Sequence, residues 1–240
     1  MQLNKYLADC GVASRRKANL MIQQGRVDVN QEIVMEMGRV IDTEKDCVFL
    51  DGHRLKIPDH YRYLLMNKPD GVITAVEDDR GRKTVIDMIP YSERVFPVGR
   101  LDMDTEGVLL LTNDGELTYR LTHPKFEIEK VYHVWVKGRV RPKSIQKLKE
   151  GVIISDQVMV KGTARIIQQN AEKTLIEMHI HEGKKRQVKR MMKAVGHPVI
   201  HLRRIVFAGL TVDDLQSGTC RELTDREVQS LYRQVGLEKN

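Results

Sequence analysis

The sequence predicts an α+β protein with a small N-terminal domain, residues 1–58, and a larger domain, residues 61–240. A chain of 240 residues is long enough for this division. In the larger domain strand-like segments outnumber helix-like ones, and two of them, EKVYHVWVKG and EKTLIEMHIH, alternate apolar and polar residues as half-buried strands do. Helices and strands do not alternate regularly as in βαβ units, so we expect a mixed, mainly antiparallel sheet.

The N-terminal domain is predicted to contain two helices followed by short strands. Leu3 and Leu7 indicate a first helix, and Ser14 is placed to cap a second helix, which ends at Gly25. Short strands are predicted at residues 27–29, 33–34 and 47–50. This order of elements indicates a compact unit that precedes a linker near Pro58.

Capping and periodicity also place elements in the larger domain. Thr84 is predicted to cap a short helix, and a longer helix begins with Pro142 at its first position and ends at Gly151. The apolar run VLLLT, residues 108–112, predicts a strand, and KKRQVKRMMKAVG, residues 184–196, predicts a basic amphipathic helix. The side chains of this helix predicted to face inward are Val188, Met191, Met192 and Val195.

The positive charge of the chain is concentrated in one segment. The formal net charge is +7, and residues 182–204 contain eight basic residues and one acidic residue, so this segment accounts for the whole excess. Such a concentration of positive charge is typical of a protein that binds a phosphate backbone. The alternative is a solvated helix face.

Composition excludes several other classes of protein. No apolar run approaches the roughly 18 residues that a membrane span needs, and the N-terminus lacks a secretory signal, so we expect a cytoplasmic protein without a membrane contact. The three cysteines are scattered without CxxC spacing, which argues against disulfides and a zinc site. No glycine-rich phosphate or dinucleotide loop occurs. We therefore expect no metal and no cofactor.

The segment GRLDMDTEG, residues 99–107, is the strongest candidate for a catalytic loop. It places Asp102, Asp104 and Glu106 beside Arg100, directly before the predicted strand VLLLT. Loops held on rigid strands often carry catalytic groups. The residues alone leave all three carboxylates as candidates, and a solvated acidic turn remains an alternative.

This loop resembles the signature of the pseudouridine synthases, and specifically of the RsuA/RluB family. EKVYHV and HEGKKRQVKRMMKAVGHPV resemble two further motifs of that family, in the same order. The resemblance implies that Asp102 is the catalytic carboxylate or nucleophile, that Tyr132 stacks on the target base, and that Lys189 pairs with Asp102, with Arg186 and Arg190 as nearby alternatives. It also implies a long mixed sheet with an active cleft across its middle. The segment LRRIVFAG, residues 202–209, resembles a family strand that would place its two arginines beside the site or against RNA.

The first domain resembles an S4 RNA-binding domain through LNKYL, SRRKA and GRVDVN. Its cations Arg15, Arg16 and Lys17 stand in the first turn of a helix, where they oppose the helix dipole, so a phosphate is the expected partner. The larger domain offers Lys185, Arg186 and Arg190 as further RNA contacts. For Arg100 the alternatives are a phosphate or the gap left by a flipped base, and a salt bridge to Asp104 or Glu106.

Together these resemblances predict an enzyme of ribosome biogenesis that isomerises uridine to pseudouridine in ribosomal RNA. GVASRRKA and the catalytic loop are closer to the large-subunit branch of the family, so 23S rRNA is the expected substrate and 16S rRNA the alternative. The expected partner is ribosomal RNA or a ribosome-assembly intermediate, bound by a monomer. Two other functions stay open: a non-catalytic S4-type assembly protein, and a nucleoside hydrolase or glycosidase that uses Asp102 with Asp104 or Glu106.

Overall fold

The structure is a computed structural model that describes residues 1–58, 60–91, 93–154 and 157–237. The chain divides into two compact units. The first contains Met1–Arg62 with the short segments Glu93–Val95 and Asn113–Gly115, and the second contains the other described residues. Within the described ranges, no helix combines the length and the apolar character that crossing a membrane requires.

The first unit consists of two helices and a small antiparallel sheet. Its elements are α1 (Leu3–Asp9), α2 (Arg15–Gln23), β1 (Val27–Val29), β2 (Glu32–Ile33), β3 (Val48–Leu50) and β4 (His53–Arg54). The strands follow the order β2-β1-β3-β4. The Ser14 hydroxyl accepts a hydrogen bond from the Lys17 amide at 3.3 Å, as the predicted cap requires. Leu3, Leu7 and Ile22 are fully buried in the core of this unit, so the apolar positions of both helices hold it together.

The larger part of the chain forms a long mixed sheet with helices packed on it. Its strands are β5 (Tyr63–Lys68), β6 (Phe96–Pro97), β7 (Glu106–Thr112), β8 (Lys130–Lys137), β9 (Val152–Ile154), β10 (Val158–Val160), β11 (Thr163–Gln169), β12 (Lys173–Ile180), β13 (Val199–Phe207) and β14 (Cys220–Glu222). Its helices are α3 (Gly115–Thr122), α4 (Pro142–Glu150), α5 (Gln187–Ala194) and α6 (Asp225–Gln234), with 3₁₀ turns at Ile86–Met88 and Pro124–Phe126.

The main sheet has the order β11-β12-β8-β13-β7-β5-β14, with β6 added beside β7. Among the described strands of this sheet, β13 and β7 form the one parallel pair. The prediction of a mixed, mainly antiparallel sheet is therefore confirmed. The β9–β10 hairpin forms a separate two-stranded sheet.

Strand β7 is rigid because both of its faces are buried. Its residues from Val108 to Leu111 have no exposed surface, as a continuous apolar run predicts. Val108 and Leu110 pack with Leu117 of α3 and Leu231 of α6 in one apolar cluster. Burying one such side chain contributes about 2 kcal/mol, so the strand that follows the GRLDMDTEG segment is firmly anchored.

The basic amphipathic helix is shorter than predicted. It begins at Gln187, not at residue 184, because Arg186 has a left-handed backbone with φ 54°. The Gln187 side chain accepts a hydrogen bond from the Lys184 amide (2.9 Å) and donates one to Glu182 (3.0 Å), which stabilises the turn before the helix. Val195, predicted to face inward, is only half-buried. The basic residues of this segment are therefore divided between a turn and a helix.

Two other boundaries differ from the prediction. Strand β7 begins at Glu106, two residues before the apolar run, because its pairing with β5 and β13 continues to Gly107 and Glu106. The helix expected after Thr84 is a single 3₁₀ turn, in which the Thr84 hydroxyl still accepts from the Asp87 amide at 3.4 Å. Glu106 consequently belongs to the sheet and not to the candidate catalytic loop.

Candidate active site

A pocket of about 660 Å³ lies in the second unit where the loop before β7 meets the turn before α5. Asp102 lines it from the loop, Tyr132 from β8, Arg204 from β13, and Lys185 and Arg186 from the turn. A volume of this size lies within the range of about 300–1,000 Å³ that is usual for ligand sites. The sheet order brings these residues together although 102 positions separate Asp102 from Arg204.

The loop that carries Asp102 is fixed by hydrogen bonds on either side of that residue. The Thr74 hydroxyl donates to the Leu101 carbonyl at 2.8 Å and accepts from the Leu101 amide at 3.3 Å. The Gly71 amide donates to the Met103 carbonyl at 3.0 Å. Because the backbone is held at both neighbours, the loop presents Asp102 to the pocket from a fixed main-chain position.

Lys68 is a buried cation that lies against the same loop. Its ammonium group donates to the carbonyl oxygens of Pro69 (2.9 Å), Met103 (3.2 Å) and Thr105 (2.9 Å), and the side chain has no exposed surface. Burial lowers the pKa of Lys68 to about 8. None of the sequence motifs discussed above includes Lys68. The sequence feature that could have drawn attention to it is a lysine at the end of the apolar strand β5. Lys68 holds the loop that presents Asp102.

Lys189 of α5 lies between two carboxylates of the loop. Its Nζ is 3.7 Å from Asp102 Oδ2 and 2.5 Å from Asp104 Oδ1. The hydrogen bond from Lys189 lowers the pKa of Asp104. Lys189 is expected to pair with Asp102. It does lie within ion-pair distance of Asp102, but its shorter contact is with Asp104. A tight turn, in which the Thr105 amide donates to the Asp102 carbonyl at 3.1 Å, brings both side chains within reach of one ammonium group.

Tyr132 and Lys130 face the pocket from strand β8. They are two residues apart and therefore project from the same face of the sheet. Tyr132 is mostly buried but still lines the pocket, so its ring is placed to contact a ligand and not only the core. Lys130 donates to the Ile128 carbonyl at 2.6 Å, and burial lowers its pKa to about 8.

Arg100 lines the pocket and is exposed. In the described part of the chain it forms no hydrogen bond or ion pair, because its two expected partners are engaged elsewhere. Asp104 contacts Lys189, and Glu106 accepts from His201 Nε2 at 2.7 Å. The salt-bridge alternative is therefore not formed, and the guanidinium group is available to a ligand.

The other predicted RNA contacts lie in two separate places. Those of the second unit are Lys185 and Arg186, which are exposed in the turn before α5, and Arg190, which is half-buried on α5. Those of the first unit are Arg15, Arg16 and Lys17, which are exposed in the first turn of α2. The Arg15 guanidinium donates to the Gln2 side chain at 2.7 Å. Each unit thus presents its own basic surface.

The arrangement suits chemistry on a nucleotide. A carboxylate with about a third of its side-chain surface exposed, Asp102, lies beside an aromatic wall, and cations surround the opening. Such a carboxylate can stabilise positive charge on a sugar or attack its anomeric carbon. Among the residues that the structure describes, no group of three or more potential metal ligands is assembled.

Comparison with known proteins finds two family models that match separate stretches of the chain. The family model described as RNA pseudouridylate synthase matches residues 62–194, and the S4 domain model matches residues 1–36. An RNA pseudouridine synthase of Aquifex aeolicus is 42% identical over 99% of this chain and 96% of its own length. The ribosomal large subunit pseudouridine synthase B of Bacillus subtilis is also 42% identical, over 100% of this chain and 98% of its own length.

A solved structure agrees with these relatives. The crystal structure of a pseudouridylate synthase superimposes with a TM-score of 0.69 at 30% identity, and the match covers 96% of this chain and 99% of that one. The likeness extends over the S4 domain and the mixed sheet that carries the pocket. This chain therefore belongs to the RNA pseudouridine synthase family.

Proposed function

We propose that this protein converts uridine to pseudouridine in large-subunit ribosomal RNA, with Asp102 as the catalytic carboxylate. The observation that carries the proposal is the position of Asp102, which lines a nucleotide-sized pocket together with Tyr132 and has the Lys189 ammonium group 3.7 Å from its carboxylate. The choice of large-subunit RNA rests on the Bacillus subtilis relative, whose name specifies that subunit.

The reaction needs one carboxylate and a place to hold the detached base. The bond from C1′ of the ribose to N1 of uracil breaks, its electron pair stays on the base, and Asp102 bonds to or stabilises C1′. The base then turns and C5 bonds to C1′, which breaks any bond between C1′ and Asp102. The proton on C5 leaves and N1 takes up a proton, so the product is an isomer of the substrate. Tyr132 holds the base by stacking, and the Lys189 ammonium group, 3.7 Å from Asp102 Oδ2, offsets part of the negative charge of the carboxylates before attack.

The two domains divide the work in this proposal. Residues 1–58 select the RNA through the exposed cations of α2, and residues 61–240 carry out the reaction. Arg100 is exposed at the pocket and free of ion pairs within the described ranges, so it can occupy the space of a flipped nucleotide or contact its phosphate.

We expect the purified full-length protein to form pseudouridine in protein-free 23S rRNA and not in 16S rRNA. Digestion of each RNA to nucleosides, followed by liquid chromatography, measures the product. Pseudouridine in 16S rRNA alone would replace the large-subunit assignment by the small-subunit one. Product formed only in particles isolated from cells that lack the protein would identify an assembly intermediate as the substrate.

The basic surfaces can be tested through the salt dependence of RNA binding. Replacing Lys185 and Arg190 with glutamine should flatten the slope of log affinity against log salt by about 1.4–1.8, because each lost phosphate contact removes roughly 0.7–0.9. The same loss is expected when Arg15 and Arg16 are replaced. Filter binding from 50 to 300 mM salt, about the range over which such contacts weaken, measures both slopes.

A matched pair of lysines controls for net charge. Lys147 and Lys149 are exposed on α4, outside both basic surfaces, and their replacement by glutamine changes the net charge by the same amount. The slope should stay near that of the original protein. If all three variants lose the same slope, the RNA responds to overall charge and the proposed contacts are incorrect.

A further inference from the structure

Arg204 is a buried arginine whose guanidinium group is only partly used by the protein. The residue is 3% exposed on β13, and its Nε donates to the Val108 carbonyl at 2.8 Å. Its charge lies over the Phe207 ring, 4.7 Å from the centroid. The Nη2 atom is buried, and no atom of the described residues accepts its hydrogen bonds. Buried donors without a partner are rare and costly, so this one requires an explanation.

The position of Arg204 relates it to the catalytic groups. In the sheet register it lies opposite Tyr132 on β8 and opposite Gly107 on β7, and its side chain lines the same pocket as Asp102. Lys130 is a second buried cation in that pocket, and its pKa is lowered mainly by burial and also by the charge of Arg204. No carboxylate of the described residues forms a salt bridge with either cation. The inner part of the pocket thus has an excess of positive charge.

We infer that Arg204 is a substrate-binding residue that donates to a carbonyl oxygen of the target uracil and stabilises the negative charge that the base acquires when it leaves the ribose. This inference rests on the proposed function. The electron pair of the broken C1′–N1 bond spreads from N1 onto O2 and O4 of the base. The guanidinium group stays protonated throughout, so the step transfers no proton to or from it.

The burial of Arg204 inside the pocket favours the base over a phosphate as its ligand. The exposed cations Arg100, Lys185 and Arg186 line the opening, where the RNA backbone has to remain. A flipped base inserts furthest into such a pocket, and Arg204 lies among its buried residues. A donor fixed in a dry site before the reaction stabilises developing charge better than water does.

Replacing Arg204 with lysine tests the inference. A lysine retains the positive charge and can still donate to the Val108 carbonyl, but it has no second planar N–H group to present to a base. We expect R204K to bind RNA with unchanged affinity and to form pseudouridine about 100-fold more slowly in single turnovers, the usual effect of removing one such donor. R204M should be at least as slow. If R204M unfolds at a lower temperature, R204K decides the matter.

RNA that carries 5-fluorouridine separates a charge-stabilising role from a structural one. Fluorine makes the base a better leaving group, so the loss of Arg204 should matter several-fold less for the disappearance of 5-fluorouridine than for that of uridine. R165K is the matched control, because Arg165 lies 70% exposed on edge strand β11 in an ion pair with Glu177, and its rates should not change.

Three results would overturn the inference while the original protein is active. They are a rate for R204K within threefold of the original, an equal defect on both RNAs, and weaker RNA affinity with an unchanged rate at saturation, which would indicate a phosphate contact. Absence of pseudouridine with the original protein would instead refute the proposed function itself.

Discussion

The Asp102→Asn protein is expected to form no measurable pseudouridine and to retain its affinity for RNA. The amide has the shape of the carboxylate but neither its charge nor its nucleophilicity, so the sugar loses the group that stabilises or attacks C1′. Removal of a catalytic nucleophile lowers rates by about four orders of magnitude or more. Single-turnover assays on 23S rRNA, together with filter binding at constant salt, measure the two properties separately.

Glu106→Gln is the matched control for that substitution. Glu106 comes from the same run of carboxylates, but it lies on β7 and contacts His201, outside the lining of the pocket. We expect it to keep nearly all of the activity. If Asp102→Asn stays active, Asp102 is not the catalytic carboxylate; if both substitutions abolish the product, the loss reflects damage to the loop.

The same assay distinguishes the other functions that the sequence leaves open. A hydrolase or glycosidase would release free uracil and leave no pseudouridine in the RNA, and this result would overturn the proposed reaction. Such an enzyme commonly pairs two carboxylates, whereas here Asp104 contacts Lys189 and Glu106 contacts His201. A non-catalytic assembly protein would bind RNA and produce neither compound.

The sequence predicts those parts of the site that depend on short stretches of chain. Asp102 stands in a nine-residue loop before an apolar strand, and Tyr132 stands on a strand with clear alternation. Local pattern finds the loop and the strand, whereas the choice of these two residues depends on the resemblance to the family. The Ser14 cap and the helix from Pro142 to Glu150 also follow from local chemistry. In the cap and the helix, the residues that form the pattern and the groups that they contact lie in one short segment.

The rest of the site depends on contacts between distant segments. Lys68 interacts with carbonyl groups more than thirty residues away, and Arg204 reaches Val108 only through the parallel pairing of β13 with β7. The sequence contains no signal for that register. The division of Lys189 between Asp102 and Asp104 likewise depends on a difference of 1.2 Å between two distances, which a motif does not specify.

Gly107→Ala should destabilise the protein strongly, because Gly107 of β7 lies directly against the backbone of Arg204 on β13. Its φ of +103° disfavours any residue with a side chain. An added Cβ would also overlap the Arg204 carbonyl oxygen, an atom of the backbone that cannot move without separating the two strands. Strain and overpacking together should lower the free energy of unfolding by about 4 kcal/mol. Urea denaturation measures this loss.

Gly99→Ala separates the effect of close approach from that of backbone strain. Gly99 begins the same loop with φ +72°, but an added Cβ would meet only the Thr122 methyl group, at an ordinary 3.6 Å. The expected loss is therefore about 1 kcal/mol. Equal losses for the two substitutions would show that β7 and β13 can move apart freely. A large difference would mean that the pairing of β7 with β13 both places Arg204 beside the Asp102 loop and stabilises the fold. Few substitutions at this junction could then change the position of Arg204 without also changing the stability of the protein.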